Sequence, residues 1–331
     1  MTINCRAVLC LLTLLLTCYV NADVNVNVND GYGPLQSYTQ SPFHTNSLSP
    51  QLRSGFSMPL DHSEVYSSGV ISSIWAVTDQ YELDYYQNQI AIGGKWQWAE
   101  RWQFDVNYRW NYAGNNHLDR LTIAFHDWVG LEQNGRTEVN NDRFVINIPD
   151  YGIELEGFRS ESLSHALTGY LQYQVMTKTH HGISVGASLY YNDTKHGIFS
   201  SSDFEQALQV NYGYQNEKHA FDASAAITFR NTPTVFKQLP YRSNNWSLSS
   251  SYRYQWLPNH ALIGQLAVHQ GITTDESEFS KPSTEFTFGY RYRLKNAAVE
   301  IIAVENMFNA DNSTDIAFGV TFRYRFKASE S

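Results

Sequence analysis

In residues 101 to 112, "RWQFDVNYRWNY", six large apolar side chains (Trp102, Phe104, Val106, Tyr108, Trp110 and Tyr112) alternate strictly with polar ones. A strand sends successive side chains to opposite faces, and no helical period accommodates such a run. The same alternation returns at 167 to 175, 183 to 191, 208 to 214, 221 to 229, 246 to 256 and 286 to 294, and again in "FGVTFRYRF" at 318 to 326. These runs are longer than the 5 or 6 residues usual in soluble domains and come close to the 9 to 11 that cross a bilayer when tilted.

The face opposite the apolar one decides which solvent lies on which side. It carries small or neutral residues (Gln172, Gln174, Ser184, Gly186, Ser188, Asn211, Ser247, Ser249, Ser251) rather than the Lys and Glu of a solvated sandwich. Aromatic residues gather at strand ends, at 108 to 112 and 252 to 256, as bilayer interfaces favour. The pattern predicts an all-β, antiparallel transmembrane β-barrel with its apolar faces toward lipid. Arg323, Arg325 and Asn107 are then expected to meet a watery lumen.

Link lengths set the strand count. Short links at 98–101, 149–152, 178–182, 215–219, 257–260 and 294–297 alternate with longer ones. With the short links on the periplasmic side, where such barrels keep their tight turns, 14 strands fit into residues 62–326. The count requires a hairpin about "PDYG" between 137–149 and 151–162, where the alternation is poor. If that pair and the first candidate strand, 64 to 78, are misread, 12 is the next even number.

The start of the chain supplies the compartment. Arg6, an apolar run from Ala7 to Leu16 and the small-residue end Val20-Asn21-Ala22 read as a secretory signal peptide over residues 1–22, cleaved near Ala22. With the strands, this places the protein in the outer membrane of a Gram-negative bacterium. Cys5, Cys10 and Cys18 all lie within the signal, which leaves disulfides and thiol chemistry out of the exported chain. A lipoprotein box at "LLTC" is the rival reading, weakened by Thr17 before the cysteine. Residues 23–61, with "GPLQSYTQSPFHTNSLSP", are too irregular for a strand and form a possible plug, and residues 327–331 form a tail. Without the signal the net charge moves from −9 to −10, which excludes nucleic acid as an electrostatic partner. A mean hydropathy of −0.40 conceals the barrel, because alternating faces average out.

Three blocks, "GPLQSYTQSPF" (33 to 43), "FHDWVGLEQNGR" (125 to 136) and "VENMFNADNSTDIAFGVTFRYRF" (304 to 326), resemble the proteobacterial family catalogued as domain of unknown function 3187. The resemblance implies an outer-membrane barrel and brings no activity with it. The last strand also looks like a barrel-assembly signal from Gly319 to Phe326, although "KASES" follows the final aromatic residue. The expected partners are therefore outer-membrane lipid, the barrel-assembly machinery and an unidentified small solute.

Two groups of residues could carry function. Glu82, Asp84 and Asp105 on early strands, and Arg291, Arg293, Glu300, Arg323 and Arg325 on late ones, all face the lumen and are expected to approach one another where the ring closes. They read either as structural ion pairs or as the selectivity charges of a pore. In the longest link, Leu118, Leu121, Ile123, Ala124, Phe125, Trp128 and Leu131 form a helical stripe. It predicts a short helix docked on the barrel mouth, or a lid offering Asp119, His126 and Asp127 for binding or acid/base work.

Other signals are weaker. "GISVG" at 182 to 186 matches a nucleophile elbow but lies inside a continuing strand, and His180 and His181 lack a third ligand. No metal, cofactor or catalytic set is expected. The reading favours a narrow or plugged channel for small solutes or hydrophobic compounds, with a structural or adhesive barrel as alternative and a lipid hydrolase or acyltransferase behind it.

Overall fold

The structure, a computed structural model, describes residues 31–118, 120, 122–123, 136–140 and 142–327. The expected signal peptide lies outside these residues, as do Asp119, Leu121, Phe125, His126, Asp127 and Trp128 of the expected loop helix. Of that stripe, Leu118 is buried, and the hydroxyl of Thr122 donates to the Leu118 carbonyl at 3.0 Å.

Fourteen strands form among the described residues: β1 (His62–Val77), β2 (Glu82–Ala99), β3 (Trp102–Ala113), β4 (Val145–Ile148), β5 (Ile153–Glu156), β6 (Ser162–Thr177), β7 (His181–Thr194), β8 (Ser201–Gln215), β9 (His219–Phe229), β10 (Asn244–Leu257), β11 (His260–His269), β12 (Ser283–Arg293), β13 (Ala297–Asn306) and β14 (Ile316–Lys327). Twelve of them close an antiparallel ring, in which β3 pairs directly with β6 and β1 pairs with both β2 and β14. The expectation of 14 strands in the wall is therefore corrected. The first candidate strand is real, and it is the hairpin β4–β5 that stands outside the ring. Its strands have 4 residues each, too few to cross a bilayer, and β4 only extends the sheet beyond the wall by pairing with residues 82 to 84 of β2.

The wall has the polarity the alternation predicts. On β8, Leu208 and Val210 are 56% and 53% exposed, while Gln209 and Asn211, which alternate with them, are buried. Trp102, Phe104 and Tyr108 on β3 also point outward. The inward face, however, is dry: Asn107, expected to meet water, is 2% exposed, because residues 31 to 60 fold into the lumen and cover it.

The two ends of the ring differ. Five short turns, the start of β1 and the end of β14 share one end, here the turn end. The long connections share the other, the loop end, where Phe43, Leu83, Tyr85, Phe144, Ile146, Ile153, Phe158, Phe199, Phe236 and Phe279 pack into one apolar cluster. The β4–β5 hairpin contributes to this cover and is tethered at its turn, where the Tyr151 hydroxyl donates to Asp275 in the β11–β12 connection. Partial burial pulls the Asp275 carboxyl upward, but hydrogen bonds from Thr273, Tyr151 and Ser277 outweigh it and leave the group below its ordinary value. The same bond, helped by burial and by the charge of Asp275, pushes the Tyr151 phenol up to about 12.

Two outcomes test this architecture. Val210→Arg on the outward band should weaken folding into lipid vesicles by about 2–4 kcal/mol, against near neutrality at an ordinary wet surface; a loss under about 0.5 kcal/mol would mean the band does not face lipid. A carboxyl held below its ordinary value stabilises the tether at neutral pH and loses that contribution as pH falls through the lowered value. Relative to intrinsic rates, amide protection in residues 145 to 156 should therefore fall on acidification from neutral pH, and Asp275→Asn should abolish that acid-dependent component.

Candidate functional site

The closing seam joins four buried charged side chains, Glu64, Arg291, Glu300 and Arg323, in one network. Glu64, on β1, is directly opposite Arg325 of β14, and Arg291 of β12 is directly opposite Glu300 of β13. Arg323 donates to Glu64 through Nε and Nη2 at 2.8 and 2.7 Å and to Glu300 through Nη1 at 2.9 Å. Arg325 donates to the second oxygen of Glu64 at 2.8 Å, and Arg291 to Glu300 at 2.9 Å. Lys95 lies 3.6 Å from Glu64. Glu64, Glu300, Arg291 and Arg323 are all fully buried, so each charge relies on the others for the solvation it has lost.

The seam joins only part of the constellation read from the sequence. Register explains the rest: Glu82 and Asp84 lie opposite Val77 and Trp75 at the loop end of β1, whereas Arg323 lies opposite Tyr66 near the turn end. The two early acids meet Arg143 instead, at 2.5 and 3.4 Å. Asp105 is claimed by Arg53 and by the Tyr66 hydroxyl at 2.8 Å, and Arg293 donates to the Pro258 carbonyl at the turn end. The acid that closes the seam, Glu64, escaped the sequence reading, although it sits two residues before Tyr66 on the inward side of the same alternation.

Residues 31 to 60 form a loop that enters at the turn end, reverses at 41 to 47 and returns to the turn end. The ascending arm lies along β12 to β14. The carbonyls of Gly31, Tyr32, Gly33 and Pro34 accept from Arg325, Arg323 and Arg291, and the Tyr32 ring lies under all three guanidinium groups, 4.2 Å from that of Arg325. Further up, the backbone N–H groups of Gln36 and Gln40 donate to Glu300 and Glu285 at 3.0 and 2.8 Å, and Ser41 lies 2.5 Å from Ser283, hydroxyl to hydroxyl. At the reversal Phe43 has φ 64°, an uncommon value for a bulky residue. Its ring is held edge-on by Phe236 and Phe279, with centroids 4.8 and 5.1 Å away.

The descending arm binds the opposite wall. Ser47 and the Leu48 N–H donate to Glu205 of β8 at 2.7 Å each, Arg53 pairs with Asp105 of β3, and the N–H groups of Ser57 and Met58 donate to Gln174 and Gln103. Here "GISVG" acquires a steric meaning. Gly55 and Phe56 press so closely on Gly182 of β7 and Gly213 of β8 that no Cβ fits, and Gly186 makes room for the Tyr170 ring. Ser184 accepts from Asn211 at 3.1 Å inside an unbroken strand. His181 hydrogen-bonds the Tyr212 hydroxyl at 2.9 Å, and His180 meets the Gln215 carbonyl at 2.8 Å.

The lumen is thus closed at the loop end by the apolar cluster and filled along its length by the two arms. At the turn end it opens as a vestibule of about 1570 Å³, lined among others by Tyr32, Ser57, Gln103, Gln174, Arg253 and Arg325.

A twelve-stranded antiparallel ring with an apolar outside, a polar inside and a chain segment folded within it belongs to the class of outer-membrane-type barrels. Within that class, the chain belongs to the family described as Protein of unknown function (DUF3187), which matches residues 10–326. Its fold is similar to that of an outer membrane channel from Pseudomonas putida F1, with a TM-score of 0.53 and 12% identity over 82% of this chain and 97% of that one. Weaker likenesses are to the NanC porin (TM-score 0.46, 10% identity, 79% and 98% of the two chains) and the KdgM porin (0.43, 10%, 80% and 99%). No curated protein matches the chain in sequence.

Glu64→Gln should destabilise the barrel by about 3–5 kcal/mol, because it strips the counter-charge from buried arginines. In urea unfolding from vesicles, Glu64→Gln combined with Arg323→Met should recover part of that loss. Simple additivity of the two changes would show that the seam is not a coupled network.

Proposed function

We propose that the protein is an outer-membrane channel for small polar solutes, held closed in this state by residues 31 to 60. The observation that carries the reading is the path of that segment. Both its ends lie at the turn end, so it can withdraw toward the vestibule as a loop, without being threaded through the ring. Its attachments are side-chain hydrogen bonds and ion pairs to both walls rather than strand pairing, a form of contact that can exchange for water. The strained tip at Phe43 sits where the loop would have to release.

In this reading the signal peptide is removed near Ala22, the turn end faces the periplasm and the strand from Gly319 to Phe326 is the assembly signal. The burial of Leu118 in the loop-end cluster supports a closed outer cover. The lumen wall, rich in Gln, Asn and Ser, suits polar solutes better than hydrocarbons.

Single-channel recording in planar bilayers tests the proposal. Ser41→Cys with Ser283→Cys, placed where the two hydroxyls now touch, should give a barrel that stays silent when oxidised and shows openings after reduction. Deleting residues 31 to 58 should give larger, sustained conductance. Silence of the deletion variant, with the barrel folded, would sink the channel reading and favour a structural barrel that presents its loops.

A further inference from the structure

We propose that the lumen contains a binding site for one monoatomic anion of halide size, built by Arg109 between the two arms of the inner segment and the β3–β6 wall. Arg109 is 2% exposed, yet among the described residues no carboxylate forms an ion pair with it. Its guanidinium is flanked by the rings of Tyr38 and Tyr190, with centroids at 4.9 and 5.9 Å, which attract a cation only weakly and cannot neutralise it. The nearby Arg53 does not share this condition, because Asp105 matches its charge.

Hydrogen bonding points to the same place. Nε and Nη1 of Arg109, Nε of Arg53 and the hydroxyl of Thr168 are buried without a partner in the protein. All three residues border one void of about 10 Å³, together with Asn107 and Ser188. That is roughly the space of a single water-sized sphere, so a halide, which is larger than water, enters only as the lining side chains give slightly, and a polyatomic anion is too big. The Asn107 side-chain oxygen also lacks a partner, and its amide can present its NH₂ group by a flip. A water could satisfy the N–H donors but would leave the guanidinium charge uncompensated in a dry lumen. One anion satisfies both requirements, and it would tie Tyr38 of the ascending arm and Arg53 of the descending arm to the same wall residue.

The test uses the full chain with chloride or bromide as the probe. Replacing gluconate by chloride at equal ionic strength should raise the thermal midpoint of the native protein, and crystals grown in bromide should show an anomalous peak beside the Arg109 guanidinium. Arg109→Gln should lose both the peak and the chloride response. Thr168→Val, a milder change that preserves the buried charge, should keep the peak and weaken halide affinity several-fold. A water without anomalous signal at saturating bromide, or an equal chloride response in the native protein and Arg109→Gln, would overturn the proposal.

Discussion

A closed ring has one seam at which the first strand must find the last, and here the side chains at that meeting are organised by a buried carboxylate. Glu64 receives Arg323 and Arg325 from β14 and has Lys95 of β2 within ion-pairing distance, so one side chain links three neighbouring strands. Removing such a group from water costs several kcal/mol, which only close, multiple and well-aimed partners can offset. Glu300 repeats the arrangement two strands further on, between β14 and β12. The guanidinium groups that close the ring also hold the carbonyls of residues 31 to 34, so the wall and its content depend on the same charges.

The interior this creates differs from both a soluble core and an open pore. Most inward residues are polar, as a water-filled barrel requires, but they are covered by a peptide that brings its own donors and acceptors. Carboxylates at 205, 285 and 300 take backbone N–H groups from an irregular segment that has no neighbouring strand to satisfy them. The apolar contribution is concentrated at the loop end, where connections too long to be tight turns fold over Phe43 and exclude water.

The strands were legible because a period of two is a local property, and β3, β8 and β14 face the way their side chains announce. The ring number was not. Residues 145 to 148 and 153 to 156 do form a hairpin, but only the direct pairing of β3 with β6, a contact between distant parts of the chain, shows that it stands outside the wall. Register hid the seam in the same way: Glu82 and Glu64 both lie near the start of the barrel, and only their opposition to Val77 and Arg325 separates them. Residues 31 to 60 read as irregular because most of their bonds are to the wall, and Arg109 drew no notice because nothing in its neighbourhood in sequence reveals that it lacks an acid.

The order of synthesis gives the seam a further meaning. Arg325 reaches Gly31 across 294 positions, and the other arginine contacts with this arm span nearly as many, so the arm's partners are among the last residues of the barrel to be made. Until β14 arrives, β1 has an unpaired edge open to wrong partners, and the inner loop has only half of its wall. Closing so long a loop carries an entropy cost that no local contact relieves. Seam and filling share their charges, so the final strand would close the ring and seat the inner loop in one cooperative step, and a chain cut short before Arg323 would be left with an unsealed sheet and a loose N-terminal arm.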